Sequence, residues 1–292
     1  MEDAWLLLAL GAVLLYGVSQ VGQKLALNDI PASVVVFLSI LITTPIGIVC
    51  LAPYLISGDF FEYDAGALLF GILAATFGQL GYYLYVEAAQ RGPISVVGSI
   101  TAAYPIMVVA FAILVLSERP GGIQLLGALL VTASMIALSY IHGGTSARTH
   151  LSGRYFMLCI ASLLLYGLWA IFTKLALDEI PSLLFLGLYT FVVPPTVYAY
   201  NKYKGVRLRH SVSSWSVPFM IAIIASEVGN IGFFLDVYAV AQGPASIVFP
   251  LIASYPVVVV VLAYGFLKER LTKIETILIG AVVLGIILVA TV

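Results

Sequence analysis

One ionisable side chain lies in the middle of a long apolar segment. Glu227 lies about twelve residues into the segment 216–241, and no lysine or arginine lies at a comparable depth in any other long apolar segment. A carboxyl group buried in an apolar medium favours its neutral form, which suits it to exchange a proton. Alternatively, an ionised Glu227 would be the counter-ion of a bound cation, or the group is a structural acid hydrogen-bonded to a neighbouring helix.

Polar residues on other apolar segments share helical faces. Tyr16, Gln20 and Gln23 follow one another at spacings of four and three, which places them on one face of a helix, and Asn230 lies three residues after Glu227. Side chains of this kind either contact a ligand or hydrogen-bond neighbouring helices. The further candidates for ligand contacts are Gln79, Tyr82, Ser99, Tyr104, Tyr166, Ser254 and Tyr255.

Three prolines interrupt two of the apolar segments. Pro105 and Pro256 each follow a tyrosine, and Pro250 lies six residues before Pro256. A proline inside a helix removes one backbone hydrogen bond and exposes a carbonyl group of the preceding turn, so we expect these helices to bend there. The bends either line a polar cavity or serve packing alone.

Three charged residues near the ends of apolar segments are candidate gate residues. Lys24 and Lys174 occupy equivalent positions, where a long side chain either reaches the polar surface with its ammonium group or closes a gate. Asp236 lies nine residues after Glu227, on the opposite face of the helix, and has no basic residue at a helical spacing. Because the sequence lacks a Walker motif, HExxH, GxSxG and a metal-spaced set of Cys and His, we expect no cofactor, no metal and no enzymatic activity.

Composition identifies the class of protein that must position these residues. The chain is 62% hydrophobic and 9% charged, with a mean hydropathy of +1.11, whereas about a quarter of the residues of a soluble domain are charged. Its apolar runs are about 20 residues long, as helices that cross about 30 Å of hydrocarbon must be. Transmembrane β-strands would be about half as long and would alternate. The sequence therefore predicts an all-α integral membrane protein.

Ten transmembrane helices are predicted. They cover residues 4–27, 33–56, 66–90, 93–116, 121–141, 154–177, 181–201, 216–241, 244–266 and 273–292. The loops between them are too short to hold a further domain, so we expect the function to lie within the membrane.

The chain contains the same pattern twice. Residues 14–33 align without a gap with residues 164–183, and ten of the twenty positions are identical. We therefore divide the chain into a five-helix repeat at 1–142, a linker at 143–153 and a second five-helix repeat at 154–292. Because five is an odd number, the second repeat enters the membrane from the opposite side, and inverted repeats of this kind are typical of transporters.

Basic residues predict the orientation. Eleven of the thirteen lysines and arginines lie on one side of the predicted spans. By the positive-inside rule that side is cytoplasmic, so both termini are expected outside a multi-pass protein of the plasma membrane.

Short motifs that occur in both repeats resemble a known family. The first copy contains Tyr16-Gly17, Lys24-Leu25-Ala26, Gly92-Pro93-Ile94-Ser95, Tyr104-Pro105 and Glu118-Arg119. The second copy contains Tyr166-Gly167, Lys174-Leu175-Ala176, Gly243-Pro244-Ala245-Ser246, Tyr255-Pro256 and Glu269-Arg270. This pattern is similar to that of the drug/metabolite transporter (DMT) superfamily, and within it to the EamA-type members.

The resemblance implies a carrier of small organic solutes with a central cavity formed by spans one, three, four, six, eight and nine. Members of the family usually keep both termini in the cytoplasm, opposite to the orientation that the charges predict here.

We therefore predict a secondary active transporter that moves a small organic metabolite, such as an amino acid, an amine or a sugar, by alternating access. Coupling to protons or another cation is expected through Glu227. Because no lysine or arginine lies at depth, a neutral, zwitterionic or cationic solute is favoured over a multiply charged anion. The expected partners are the solute, the lipid bilayer and protons, with no nucleic acid, and the alternative function is a non-transporting scaffold or a channel-like protein.

Overall fold

The computed structural model describes residues 4–92, 94–147, 153–205, 216–267 and 272–290, and all regular secondary structure within them is helical. The first half contains α1 (Ala4–Leu27), α2 (Ala32–Leu38), α3 (Ile40–Ser57), a short 3-10 helix (Asp59–Glu62), α4 (Ala65–Arg91), α5 (Ile94–Thr101), α6 (Pro105–Leu114) and α7 (Gly122–Ala147). The second half contains α8 (Gly153–Leu177), α9 (Ser182–Lys204), α10 (Val217–Gln242), α11 (Ala245–Ile252), α12 (Tyr255–Leu267) and α13 (Lys273–Ala290).

The lengths of these helices agree with a membrane-spanning protein. Among the described residues, seven helical segments are long and apolar enough to cross a membrane. Three further apolar helices are shorter and cover Pro105–Leu114, Gly122–Leu138 and Thr276–Val289. The prediction of an all-helical protein is confirmed, whereas the number of ten membrane crossings stays a prediction.

The predicted linker at 143–153 is partly helical. Helix α7 continues to Ala147, and α8 begins at Gly153. Residues 148–152 lie outside the described part of the chain.

Three of the predicted spans are divided into two helices each. Span two is divided at Ser39, between α2 and α3, and spans four and nine are divided near a proline. Helix α5 ends at Thr101 and α6 begins at Pro105, while α11 ends at Ile252 and α12 begins at Tyr255, directly before Pro256. A proline lacks the backbone N–H that would continue a helix, and it disfavours helical backbone in the residue before it. Pro250 lies inside α11 without ending it. The backbone near the two proline-linked breaks therefore departs from the hydrogen-bond pattern of a regular α-helix.

The two repeats interlock through reciprocal helix pairs. Helix α1 packs most extensively against α10, and α4 against α8. Since α8 is the repeat counterpart of α1, and α10 that of α4, exchanging the repeats converts one pair into the other. Helices α3 and α9 pack together, as do α7 and α13, and each of these pairs joins two counterparts. The buried core therefore lies between the repeats.

Glycine allows equally close contact at equivalent points of this interface. A Cβ atom on Gly81 would lie 3.1 Å from Cδ1 of Tyr166, and a Cβ atom on Gly232 would lie 3.2 Å from Cδ1 of Tyr16. Gly232 is the repeat equivalent of Gly81, and Tyr16 is that of Tyr166. The duplicated sequence thus produces duplicated packing.

Two glycines allow a close backbone approach between α7 and α13. A Cβ atom on Gly127 would lie 2.6 Å from the carbonyl oxygen of Gly285, and one on Gly285 would lie 2.9 Å from that of Gly127. Both distances are shorter than van der Waals contact, and the opposing atoms belong to backbone that has no rotamer to change. Small residues at such crossings are typical of helix pairs in membranes.

We expect Gly127→Ala to separate α7 from α13 and to lower the free energy of unfolding by about 1–3 kcal/mol, as overpacking does. The midpoint of thermal unfolding of the detergent-solubilised protein measures this change. Gly280→Ala is the matched control, because a Cβ atom at this exposed position of α13 meets nothing within 4 Å. Equal midpoints for the two variants would contradict the close approach.

Candidate functional site

A cavity of about 210 Å³ lies between the two repeats. Its walls come from α1, α4, α8, α9 and α10, from the junction of α2 and α3, and from both proline-linked breaks. Of the 22 lining residues, 18 form nine pairs of equivalent positions that are 150 or 151 residues apart. These pairs are Tyr16/Tyr166, Ser19/Trp169, Ser39/Tyr189, Thr43/Val193, Gly78/Gly229, Gln79/Asn230, Tyr82/Phe233, Tyr85/Asp236 and Tyr104/Tyr255. The cavity is thus centred where the two repeats meet.

Four lining residues have no equivalent in the wall, namely Gln20, Gln23, Ser226 and Ile252. Gln20 and Gln23 lie in the C-terminal half of α1, and Ser226 lies in the first half of α10. Their equivalents Ala170, Thr173 and Ala75 are buried outside the cavity wall. The cavity therefore extends beyond its symmetric centre on one side only.

Most of the residues predicted to contact a ligand line this cavity. They are Tyr16, Gln20, Gln23, Gln79, Tyr82, Tyr104, Tyr166, Asn230 and Tyr255. Ser254 is buried elsewhere and donates a hydrogen bond to the carbonyl oxygen of Leu251 at 2.6 Å. The side chain of Ser99 lies outside the described residues.

Asp236 is the carboxyl group in the cavity wall. It is 1% exposed, and the hydroxyl of Tyr16 donates a hydrogen bond to its Oδ2 at 3.0 Å. Its Oδ1 has no hydrogen-bond partner among the described residues. No lysine or arginine is among the residues that line the cavity. Asp236, which the sequence offers as a candidate gate residue, therefore lies in the cavity wall.

Glu227 lies beside the cavity rather than in its lining. The amide of Asn230 donates a hydrogen bond to its Oε2 at 2.9 Å and another to the carbonyl oxygen of Ser39 at 3.3 Å. Oε1 of Glu227 is buried and has no hydrogen-bond partner within the described part of the chain. Because Asn230 lines the cavity, it connects this second carboxyl group to the cavity wall.

Aromatic residues that the sequence did not single out complete the wall. The indole Nε1 of Trp169 donates a hydrogen bond to the hydroxyl of Tyr189 at 2.9 Å, and the rings of Tyr189 and Phe233 are 4.9 Å apart. Tyr85 also lines the cavity and lies three positions after Tyr82. Tyr189 and Val193 also show that span seven contributes to the cavity, as span two does through Ser39 and Thr43. The repeat could have indicated Tyr85, because it is the equivalent of the candidate residue Asp236.

The two candidate gate lysines have different partners. Lys24 donates to the carbonyl oxygens of Ala89 at 2.8 Å and Gly92 at 2.9 Å, at the C-terminal end of α4. Lys174 forms an ion pair at 2.7 Å with Asp178, the residue that directly follows helix α8. Neither side chain lines the cavity.

Glu118, one of the motif residues, lies between α6 and α7 and joins the first repeat to the second. Its two oxygens accept hydrogen bonds from the backbone N–H groups of Ala245 at 2.9 Å and Ser246 at 3.0 Å, and from the hydroxyl of Ser246 at 2.6 Å. A carboxylate at a helix N-terminus satisfies unpaired N–H groups and interacts favourably with the helix dipole. Glu118 thus fixes the start of α11, which leads to the break between α11 and α12. Its equivalent Glu269 lies outside the described residues.

Comparison with known proteins agrees with this architecture. A model of the EamA-like transporter family matches residues 3–140 and again residues 153–291. The chain belongs to the EamA-like transporter family. This family, part of the DMT superfamily, consists of transporters rather than enzymes. The EamA-like protein is therefore a multi-pass membrane protein, as its composition predicts.

Two relatives of this EamA-like protein illustrate its construction. An uncharacterized protein of Methanocaldococcus jannaschii is 30% identical over 125 residues, which are 43% of this chain and 88% of the relative. That relative is thus about as long as one repeat. A crystal structure described only as that of a protein superposes with a TM-score of 0.71 at 16% identity, covering 99% of this chain and 96% of the other. The second likeness shows a shared fold.

We expect Glu118→Ala to lower the free energy of unfolding by about 1–3 kcal/mol, because it removes three hydrogen bonds from the start of α11. Ser246→Ala removes one of the three and should have a smaller effect. Glu62→Ala, which deletes an exposed carboxylate, is the control and should have none. Thermal unfolding in detergent measures all three, and a Glu118→Ala midpoint equal to that of the control would refute the capping role.

Proposed function

We propose that this EamA-like protein is a secondary transporter that moves a small organic solute through the central cavity by alternating access. The observation that carries this proposal is the pairing of equivalent positions around the cavity. A binding site built at the junction of two inverted repeats stays in place while the repeats exchange their conformations, and access then changes from one side of the membrane to the other.

The one-sided extension of the cavity supports the same proposal. A transporter that alternates between two states departs from twofold symmetry in each of them, and the departure is expected along the access path. Gln23 and Ser226 lie in that extension, whereas their equivalents Thr173 and Ala75 are packed away from the cavity. We infer that the structure corresponds to one of the two states.

The residues that line the cavity also favour some classes of solute over others. One carboxyl group and several amide and hydroxyl groups face the cavity, and no lysine or arginine is among its lining residues. A multiply charged anion would lack a counter-charge there. Neutral, zwitterionic and cationic solutes therefore fit the cavity better.

We further propose that Glu227 couples transport to a proton or another cation across the plasma membrane. It lies in the membrane-spanning helix α10, and Asn230 links it to the cavity. An ion bound at this carboxyl group would therefore change the position of Asn230 in the cavity wall without occupying the solute site.

Reconstituted vesicles test transport itself. We expect saturable uptake of at least one member of a panel of amino acids, amines, sugars and nucleosides, together with counterflow driven by unlabelled solute inside the vesicles. A channel-like protein would show flux without counterflow, and a scaffold would show no flux above that of empty vesicles. Either result would overturn the proposed function.

We expect Glu227→Gln to abolish accumulation driven by a pH gradient while solute exchange continues. An exchange reaction returns the carrier without net ion movement, whereas accumulation requires the ion to bind and leave. Thr76→Val is the matched control, because Thr76 is the equivalent position in α4 and its hydroxyl donates a hydrogen bond to the carbonyl oxygen of Ile72 within the same helix. Equal stimulation of the wild type and Glu227→Gln by the gradient would reduce Glu227 to a structural acid.

A further inference from the structure

We propose that the central cavity recognises a small monovalent amine, whose ammonium group pairs with Asp236 and whose apolar body lies against the aromatic wall. This inference rests on the proposed function, because it names the class of solute that the same cavity would carry. It excludes amino acids as the preferred solutes.

The first step of the argument is charge. Asp236 is 1% exposed, and it is accompanied in the cavity wall by no lysine or arginine. A buried carboxylate without a counter-charge is unfavourable, and a single phenol does not compensate for the loss of water. An ammonium ligand supplies a positive charge together with three hydrogen-bond donors.

The second step is the geometry of the hydrogen bonds. Tyr16 donates to Oδ2 and leaves Oδ1 without a hydrogen-bond partner among the described residues. The bond to Tyr16 holds the carboxyl group in the wall between α10 and α1. Oδ1 therefore still needs a hydrogen-bond donor. Because its carboxyl group lines the cavity, a bound ligand can supply that donor.

The third step is the surrounding aromatic wall. Tyr104 and Tyr189 line the same cavity as Asp236, and Phe233 lies one helical turn before it on α10. The faces of aromatic rings attract cations and give apolar contact to the rest of a ligand. The volume of about 210 Å³ is in keeping with a small solute.

The fourth step is the asymmetry between the repeats. The equivalent of Asp236 in the first repeat is Tyr85, so that one acid faces the cavity where symmetry would allow two. One acid matches one positive charge. A zwitterionic amino acid would bring a carboxylate into a wall that has no lysine or arginine to receive it, and a dication would lack a second acid.

The test measures binding to the purified full-length protein in detergent by isothermal titration calorimetry. The probes are 2-phenylethylamine, 2-phenylethanol and phenylalanine, which share a ring and differ in charge. We expect the amine to bind about tenfold to a hundredfold more tightly than either of the others, as hydrogen bonds to charged groups do relative to neutral ones. Alcohol or amino acid binding as tight as amine binding in the wild type would overturn the inference.

The variant Asp236→Asn keeps the size of the side chain and removes its charge, so the preference for the amine over the alcohol should fall to about threefold or less. Asp59→Asn is the matched control, because it removes an exposed carboxylate of the 3-10 helix and should keep the full preference. An unchanged preference in Asp236→Asn would also overturn the inference. The comparison of three probes in the wild type decides the matter even if this variant does not fold.

Failure here is distinguishable from failure of the transport proposal. Saturable flux of a sugar or an amino acid together with weak amine binding would leave a transporter with a different solute. Tight, Asp236-dependent amine binding without any flux in vesicles would uphold the inference about the ligand and reject transport.

Discussion

Close approach between helices of opposite repeats is the interaction on which the rest of the structure depends. In a bilayer the lipid tails are as apolar as leucine, so helices associate through packing and polar contacts rather than through release of water. Gly81 and Gly232 bring α4 to α8 and α10 to α1 at matching points. The contacts hold Tyr16 and Tyr166 where the two repeats meet, and both side chains line the cavity.

Two carboxyl groups lie on one helix in different surroundings. Asp236 and Glu227 are nine residues apart on α10, or about 14 Å at about 1.5 Å per residue. Asp236 has a phenol partner inside the cavity, while Glu227 has an amide partner at its edge. In the proposed mechanism the first group meets the solute and the second meets the coupling ion, and Asn230 lies between the two.

Sequence reasoning reached the fold and much of the site for identifiable reasons. The length of the apolar runs is sufficient to indicate membrane helices, and helical spacing is sufficient to place Tyr16, Gln20 and Gln23 on one face. The same spacing separates Asp236 from Glu227, but it cannot tell which face of α10 meets the cavity. That choice depends on how α10 packs against α1, which is a contact between residues more than 200 positions apart. The cap that Glu118 provides for α11 is likewise a long-range contact.

Under the proposed alternating access, the different partners of Lys24 and Lys174 would make the two access states unequal in energy. If the repeats exchange conformations, Lys174 takes over the role of binding carbonyl groups at a helix end, and Lys24 takes the place now held by Lys174. The ion pair with Asp178 then has no counterpart, because the equivalent residue of the first repeat is the neutral Asn28. In the proposed mechanism one state therefore holds an ion pair that the other lacks, and this pair would favour the conformation in which Lys174 contacts Asp178.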